Sequence, residues 1–485
     1  MVHLKLVYRI LGQLLFLEAT FMFCCLAMAF VYREDDVFAF LVSALATVFG
    51  GFVLKIMGRD GTMAMSRRDA YLVVTSSWVV FSFFGTLPFL ISGYLTSFTD
   101  AYFEAMSGFT TTGATVFDDV EALPHGLLFW RSMMQWIGGL GIVFFTIAIL
   151  PSFVGGTVKV FAAEATGPIR TKLHPRLSSG AKSIWLVYII LTTACMGGYC
   201  LSGMGGFDAV NHAMTTTATG GMSTRNEGVM FFHSRAVDYT CIVFTFLSGI
   251  NFTLLYASVV GLRVRQLFRN TEFRCYAGIV GAATLLVMLQ LVASTHYGLE
   301  RAFRDALFQV VSTITTTGMC NDNIALWPST VWVVIALCML IGGCSGSTSG
   351  GIKCIRIVMV MKTIRNEFLQ ILHPNAVLPM KIDGNNITNR KRVTLLAFLS
   401  TALIICLVMM GGLLAMGIDA KSALGITLGS LNNVGPSLEQ GIGLVKSWGD
   451  LPDLAKWTCC LVMLVGRLEI FSVLVIFTPA YWKEN

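Results

Sequence analysis

Charged residues are scarce in this sequence. Of its 485 residues, only 13% are Asp, Glu, Lys or Arg, whereas 55% are hydrophobic. A soluble domain carries about 25% charged residues, so this chain would expose a largely apolar surface in water. The mean hydropathy is +0.72, and stretches such as 72–95 and 399–416 reach the ~20 residues that a helix needs to cross a bilayer. The composition therefore predicts an all-α polytopic membrane protein.

The sequence also lacks the motifs of an enzyme or a metal protein. It contains no HExxH segment, no paired catalytic carboxylates and no Cys or His residues at metal-ligand spacing. The thirteen cysteines lie mostly in apolar segments, which is typical of small core residues. His125, His174, His212 and His233 lie apart, and helix packing is the expected role of His212. A membrane-embedded enzyme is therefore a disfavoured alternative, and no covalently bound cofactor is expected.

No segment is long enough to form a soluble regulatory domain. The longest hydrophilic loops, about 153–182 and 373–392, are too short to fold alone as a nucleotide-binding unit. The net charge of +7 is divided among short loops, which indicates membrane topology rather than nucleic-acid binding. Lys and Arg collect in alternate loops, so the positive-inside rule places both termini in the cytoplasm. The loops of this basic set lie at 55–68, 159–182, 263–274 and 381–392.

The first apolar run allows two interpretations. Lys5 and Arg9 precede it, and it ends in Ala27-Met28-Ala29, which is similar to a signal-peptidase site. The run is long, contains Glu18, and leads directly into a second span at about 36–57. We therefore interpret it as the first transmembrane helix. Glu18 is expected either to face the protein interior or to pair with a neighbouring helix, in a structural role rather than as an ion site.

A short segment occurs four times at intervals of roughly one hundred residues. Each copy has an alanine twelve residues before a final glycine, and each lies between two long apolar spans. The four copies are DAYFEAMSGFTTTG (100–113), DAVNHAMTTTATGG (208–221), DALFQVVSTITTTG (305–318) and SALGITLGSLNNVG (422–435). About twelve helical residues span only ~18 Å, too short to cross, so these half-spans predict re-entrant pore helices followed by filter segments.

The repeat unit therefore consists of a helix, a pore helix and a second helix. Four pseudo-symmetric units of this kind would surround one central pore. The predicted divisions are two N-terminal helices within 1–60, repeat 1 at 72–152, repeat 2 at 183–262, repeat 3 at 274–372 with a broken second helix, and repeat 4 at 393–480.

The four turns have the chemistry of a cation filter. Backbone carbonyls can replace the water of a monovalent cation without the strong trapping of a full negative charge. Glycine after Thr-Thr permits backbone angles that a β-carbon would hinder. One Thr-Gly turn alone would more simply be a packing turn, but four in register favour a ring. The candidate metal-binding carbonyls belong to Thr111, Thr112 and Gly113; Thr219, Gly220 and Gly221; Thr316, Thr317 and Gly318; and Asn433, Val434 and Gly435.

A second candidate element interrupts the closing span of repeat 3. The segment 342–351 is so rich in Gly and Ser that it predicts a break near mid-membrane. A gate loop is favoured over a simple kink, and a Walker-type phosphate loop fails because Lys353 does not directly follow the last glycine. The candidate gating glycines are Gly342, Gly343, Gly346, Gly350 and Gly351.

Arg467, in VGRLEI of the last span, is the third candidate. A cation at membrane depth is costly and usually faces a cavity or a partner. It is interpreted either as a gating residue or as the structural partner of Glu469.

In combination, the motifs TTTGAT (110–115), TGGMST (219–224), TTTGM (315–319) and NNVGP (432–436) resemble those of the bacterial Trk/Ktr/HKT potassium-transporter superfamily. Two spans precede the first repeat, so the chain is most similar to the TrkH-type membrane subunit. The resemblance covers essentially the whole chain and implies that each of the four units is similar to a potassium-channel subunit. NNVGP departs most from the Thr pattern, so a ring with exact four-fold symmetry is not expected. The resemblance implies potassium uptake across the bacterial inner membrane, with Gly113 rather than Ser favouring potassium over sodium.

Several further expectations come from the resemblance alone. It implies that the 342–351 loop and Arg467 obstruct the pore below the filter. It implies a homodimer, and a cytoplasmic ring of RCK-type, TrkA-like subunits that bind NAD or ATP. Symport of potassium with sodium or protons remains an alternative, although no intramembrane carboxylate cluster is evident for a second ion.

Overall fold

The computed structural model describes residues 2–59, 65–141, 177–259, 261, 264–295, 297–376, 378–435 and 447–483. Within these ranges the chain is mostly helical. Strands Lys381–Ile382 and Asn385–Asn386 pair antiparallel in a small hairpin. The end of the predicted closing span of repeat 1 and the loop 153–176 lie outside the described residues.

Two long helices, α1 (Leu4–Tyr32) and α2 (Val37–Met57), precede the repeats. They pack closely because both carry glycine at their contact: a Cβ on Gly12 would lie 2.6 Å from the carbonyl oxygen of Gly51. Glu18 on α1 is fully buried, and neither carboxyl oxygen has a hydrogen-bond partner among the described residues. The side chain therefore faces the protein interior, which is one of the two placements that the sequence allowed.

Each of the four following units begins with a long helix. In repeat 1 this helix is interrupted near Thr86, where Pro88 begins a second short helix. The long helices are α3 (Arg67–Gly85) with α4 (Leu87–Ile91), α7 (Leu177–Leu201), α12 (Thr271–Ser294) and α16 (Asn389–Ala415).

A half-length helix follows in each unit, as the repeated segment predicted. Three of these helices contain 12 or 13 residues, whereas the third contains 16 because it begins earlier. Asp100 and Asp208 lie in the first turns of the first two, where a negative charge interacts favourably with the helix dipole. The half-length helices are α5 (Phe98–Phe109), α8 (Gly206–Thr217), α13 (Leu299–Ile314) and α17 (Ala420–Asn432).

The closing helices begin after the turns, and those of repeats 2, 3 and 4 break at one equivalent position. Repeat 2 bends by 105° and repeat 4 by 108°, while repeat 3 is interrupted by the Gly/Ser segment. In repeat 1 the helix ends at Leu140. The helices are α6 (His125–Leu140), α9 (Arg235–Ser248) with α10 (Phe252–Val259), α14 (Ser329–Leu340) with α15 (Cys354–Leu372), and α18 (Asp453–Arg467) with α19 (Phe471–Leu474).

The sequence predicted a break only in repeat 3, but short related motifs occur at the equivalent position of all four closing helices. They read IGGL (137–140), LSGI (247–250), IGGC (341–344) and VGRL (465–468). Two of these glycines leave no room for a side chain. A Cβ on Gly138 would collide with the carbonyl oxygen of Phe109, and one on Gly466 would collide with that of Leu431. Each of these carbonyls lies four residues before the filter glycine of the same repeat. In repeats 1 and 4 these glycines therefore let the end of the half-length helix lie directly against its closing helix.

The remaining short elements connect the spans. The helices are α11 (Val264–Arg269) and α20 (Pro479–Trp482), and the 3-10 turns are Gly228–Phe232, Ile324–Leu326, Trp448–Asp450 and Val475–Phe477.

Burial separates the centre of the molecule from its periphery. Every residue of α5 from Ala101 to Phe109 is buried, which is expected for a helix surrounded by protein. Large apolar side chains on outer helices remain exposed, among them Phe49 (68%) and Val408 (70%). Six described helices are long and apolar enough to cross a membrane, or eight if each bent pair counts as one span. This distribution fits a protein with an apolar belt around four repeats.

Candidate functional site

The four predicted turns have the same backbone conformation. The first turn residue is left-handed in every repeat, with φ of 55° at Thr111, 54° at Thr219, 58° at Thr316 and 55° at Asn433. The glycine two residues later also has positive φ, between 76° and 82°. The structure thus places the four sequence-predicted triplets in equivalent local geometry.

Each half-length helix ends in a Schellman-type cap. The backbone N–H of the second turn residue donates to the carbonyl five residues earlier in all four repeats, from Thr112, Gly220, Thr317 and Val434 at 2.8 to 2.9 Å. The left-handed residue in such a cap is usually Gly and sometimes Asn. Only Asn433 follows this preference.

Three threonines therefore occupy a backbone region that β-branched residues rarely enter. Each such residue costs on the order of 1–3 kcal/mol, and strain of this kind clusters at functional sites. Thr111, Thr219 and Thr316 are almost completely buried, so surrounding packing enforces the conformation. The same strained residue type at the same position of three repeats marks the turns as the candidate site.

The turns lie side by side in a ring. A Cβ on Gly113 would fall closer than 3.0 Å to the carbonyl oxygen of Gly220, one on Gly221 would meet Thr317 O, and one on Gly435 would meet Thr112 O. Repeat 1 therefore contacts repeats 2 and 4, and repeat 2 contacts repeat 3. The order of repeats around the axis follows the order of the chain.

Repeat 2 differs because Gly220 occupies the position of Thr112 and Thr317. The side chain of Gln135, from α6 of repeat 1, fills the space that a side chain at 220 would need. Its Nε2 donates to Gly220 O at 2.8 Å, and its Oε1 accepts from Met222 N at 3.1 Å. The glycine is thus explained by a bridge between neighbouring repeats.

Repeats 1 and 3 share two further contacts. Thr110 and Thr112 hydroxyls lie 2.8 Å apart, as do those of Thr315 and Thr317. In repeat 1, Ser107 Oγ donates to Ala114 O at 2.6 Å. In repeat 3, Ser312 Oγ donates to Met319 O at 2.6 Å.

Repeat 4 joins the ring through its divergent asparagine. Asn433 Nδ2 donates to Thr112 Oγ1 at 3.0 Å and to Met463 O at 3.0 Å. Val434 is buried next to it. Pro436 of the NNVGP motif lies outside the described residues.

A cavity of about 460 Å³ opens above the ring. Three filter glycines reach its floor, and its wall includes Asp118, Glu227 and Asp322 together with Arg131 and Arg225. In the neighbouring loop, the side-chain amide of Asn226 donates to Asp119 and lowers the pKa of that carboxyl. The cavity is therefore surrounded by both carboxylate and guanidinium groups.

The Gly/Ser segment 342–351 crosses beneath the ring and contacts repeats 2, 3 and 4. In repeat 2, Thr348 Oγ1 donates to the carbonyls of Thr217 and Ser248 at 3.1 and 3.3 Å. In repeat 3, Gly350 N donates to Thr316 Oγ1 at 2.7 Å. In repeat 4, a Cβ on Gly350 would strike Asn432 O.

The predicted gating glycines have separate structural reasons. Gly346 and Gly351 have φ of 76° and 69°. A Cβ on Gly342 would collide with Gly350 O, and one on Gly343 would lie 2.8 Å from Gly249 O. These contacts fold the segment into a compact loop closed by a bridge between Ile341 and Ile352.

Arg467 binds backbone carbonyls on two sides. Its Nη1 donates to Thr348 O at 2.9 Å, and its Nη2 donates to Gly138 O at 2.6 Å and Gly139 O at 2.8 Å. Glu469, the alternative partner considered from the sequence, pairs with Arg356 at 2.5 Å. The structure therefore connects Arg467 to the loop and to the break of repeat 1.

Glu272, at the start of α12, is a loop contact that the sequence reasoning missed. Its Oε1 accepts from Ser345 N at 2.6 Å and from Ile355 N at 3.1 Å, so one carboxylate connects the loop to the helix that follows it. Lys353 Nζ donates to Ser349 O within the loop. Nothing in the sequence indicated the role of Glu272, because 73 residues separate it from Ser345.

Comparisons with known proteins agree with this architecture. Residues 38–484 match the TrkH family, described as cation transport protein. The chain is 36% identical to the Trk system potassium uptake protein TrkH of Escherichia coli K12 and 34% identical to that of Halomonas elongata, covering 99% of this chain and 100% of each relative. The crystal structure of the potassium transporter TrkH from Vibrio parahaemolyticus superposes with a TM-score of 0.90 at 35% identity, covering 99% of both chains.

Fold, ring and family match together define a polytopic membrane protein of the cation-transport class. Its relatives carry the names of transporters rather than enzymes, which confirms the preference for transport over catalysis. The chain belongs to the TrkH family, so the resemblance drawn from its motifs is confirmed.

Proposed function

We propose that this chain is the potassium-conducting subunit of a bacterial uptake system. The supporting observation is the ring of four left-handed turns, three of them held on strained threonines. Carbonyls replace the hydration shell of a monovalent cation in filters of this type, and the names of the relatives indicate potassium. The proposed ion-binding oxygens are the carbonyls of the four triplets 111–113, 219–221, 316–318 and 433–435.

Gating is assigned to the loop 342–351 and Arg467. The loop lies directly below the ring and is bonded to Thr316 of the filter, so its displacement would open the path. Arg467 holds the loop through Thr348 O and adds a positive charge below the filter. A cation leaving the filter would meet both obstacles.

The assembly and placement follow the family. We propose a homodimer in the inner membrane of a bacterium, with both termini in the cytoplasm. A cytoplasmic RCK-type, TrkA-like ring that binds NAD or ATP would act on the loops at the base. Mass measurement in detergent, alone and with such a ring protein, tests this; a monomer insensitive to the ring would contradict it.

The function is tested by ion flux into liposomes that contain the purified chain, under opposed potassium and sodium gradients. Gly113→Ser should lower the potassium preference about tenfold, because residue 113 has φ of 82° and a Cβ there would strike Gly220 O. Gly93→Ser is the matched control, since Gly93 has φ of 79° and no atom within 4 Å of its Cβ position.

Three results would be decisive. Potassium-selective flux that Gly113→Ser relaxes and Gly93→Ser leaves intact would support the filter. Flux without potassium preference in the unmodified chain would contradict the proposal. Accumulation that requires an imposed proton or sodium gradient would instead favour symport.

A further inference from the structure

We propose that a polar network behind the filter, composed of Glu104, Arg131, Thr115, Ser223 and His212, sets ion selectivity by holding the turns of repeats 1 and 2 in place. The inference rests on the proposed function of the ring. These are positioning residues, because they contact the filter segments and not the ion.

In repeat 1 the network connects the half-length helix to the segment after the filter. Glu104 lies nine residues before Gly113 and is fully buried. Its carboxylate accepts from Thr115 Oγ1 at 3.0 and 3.1 Å and from Val116 N at 3.0 Å. Thr115 is two residues after Gly113, so these bonds close a bracket around the turn.

Repeat 2 has the same bracket with different chemistry. His212 lies nine residues before Gly221 and is fully buried. Its Nε2 lies 3.0 Å from the hydroxyl of Ser223, two residues after Gly221, and its Nδ1 lies 2.8 Å from Asp208 O. Because the carbonyl can only accept, Nδ1 carries a proton, and in the neutral ring Ser223 donates to Nε2.

Arg131 joins the two brackets across the boundary between the repeats. Its Nε donates to Glu104 Oε1 at 2.8 Å, its Nη2 to Thr115 Oγ1 at 3.2 Å, and its Nη1 to Ser223 O at 3.1 Å. The guanidinium is only 2% exposed. A continuous chain of bonds therefore runs from Glu104 to His212.

Repeat 3 has only an uncharged and weaker counterpart of the bracket. Gln309 occupies the equivalent helix position, where it donates to Thr313 on its own helix at 3.3 Å and contacts the thiol of Cys320, two residues after Gly318. The same thiol contacts Gly318 O at 3.9 Å, and thiols are weak hydrogen-bonding groups. In repeat 4 the equivalent helix residue is Ile426, whose side chain cannot hydrogen-bond.

Burial makes the network rigid. Hydrogen bonds between buried charged groups are strong, and a buried group left unpaired is costly, so the bonded arrangement is strongly preferred. A small displacement of residue 115 or 223 would move the adjacent filter glycine. We therefore expect ion selectivity to depend on the turns of repeats 1 and 2, which the network holds in place.

The test measures the potassium-to-sodium flux ratio and the melting temperature of each variant in liposomes. Glu104→Gln keeps the side-chain volume but removes the charge that pairs with Arg131. Thr115→Val and Ser223→Ala each remove one hydroxyl, while Glu104 and Arg131 remain paired with each other. The selectivity ratio should fall roughly threefold to tenfold in Glu104→Gln and less in the two hydroxyl variants.

Gln309→Leu is the matched control, since it changes the same helix position in repeat 3, where the contact with Cys320 is weak and involves no charged group. It should leave the ratio within about twofold of the unmodified chain, and Thr115→Ser should restore what Thr115→Val loses. If Glu104→Gln does not fold, Thr115→Val and Ser223→Ala decide the question.

A lower melting temperature with an unchanged flux ratio in the bracket variants would overturn the inference, because the network would then serve stability alone. An equal loss of selectivity in Gln309→Leu would overturn it as well. An unmodified chain without potassium preference would instead overturn the filter assignment on which the inference depends.

Discussion

The upper and lower halves of the proposed pore use the four repeats differently. Above, the four turns share one backbone conformation within a few degrees of φ. Below, four related motifs produce three kinds of structure: a helix end at Leu140, similar bends at Gly249 and next to Arg467, and the loop 342–351.

The difference follows from what each half is proposed to do. A filter must present oxygens to an ion from several directions at once, which requires nearly equal contributions from every repeat. One loop is enough to obstruct a pore, and four such loops, one from each repeat, would collide on the axis. Repeat 3 therefore supplies the loop, and repeat 4 has an arginine where the other repeats have glycine. Substitutions in the loop 342–351 or at Arg467 should therefore change the amount of ion flux, whereas substitutions in the four turns should change the ion preference.

Removal of the loop should have the largest effect. Deletion of residues 345–349 would remove the obstruction and raise flux roughly tenfold or more without any regulator, because a closed protein populates its open state only about 0.1–10% of the time. The measurement is potassium flux into liposomes. Ser347→Ala, which keeps the loop length but removes the 2.6 Å bond to Cys344 O, should change flux far less. Unchanged flux from a folded deletion variant would show that the loop does not gate.

Arg467→Ala should have the next largest effect. It removes three charge-assisted bonds to carbonyls and the positive charge, so flux should rise several-fold, about threefold to tenfold. Arg467→Lys is the matched control: it keeps the charge but cannot reproduce the forked geometry, so its flux should be intermediate. If the alanine variant loses folded protein and its surviving fraction conducts normally, the residue is structural.

Glu272→Gln should have the smallest effect of the three. The amide oxygen can still accept from Ser345 N and Ile355 N, but without the negative charge both bonds weaken. The loop ends should loosen and flux should rise about twofold, with the potassium-to-sodium ratio unchanged. Glu367→Gln, on the partly exposed helix that follows the loop, serves as control. A changed ion preference in Glu272→Gln would break the proposed separation between the two halves.

Sequence reasoning located the repeated elements because their signals are local. Half-length apolar segments ending in Gly predicted the four short helices, and the Gly/Ser run predicted the interruption of repeat 3. The bends of repeats 2 and 4 were missed because LSGI and VGRL contain one glycine each, and a single glycine does not by itself predict a break. The helix at Leu299–Ile314 was predicted too short because its added first turn lies before the repeated segment.

Long-range partners were not accessible in the same way. Gln135 and Gly220 are 85 residues apart, and nothing near either one indicates the other. His212 was interpreted as a packing residue, whereas its ring nitrogens bond to Asp208 O and Ser223 Oγ. Glu104 and Arg131 stand on different helices, and only their common burial identifies them as a pair.

The sequence by itself determined the membrane class, the four repeats and the positions of the turns, because hydropathy, segment length and glycine placement act over a few residues. Only the tertiary structure decided which repeats the Glu104–His212 network connects, which residue holds the loop and which carbonyls Arg467 contacts. Those properties depend on side chains brought together from distant helices. The repeated pattern makes the four units recognisable, but it does not show where the units differ from one another.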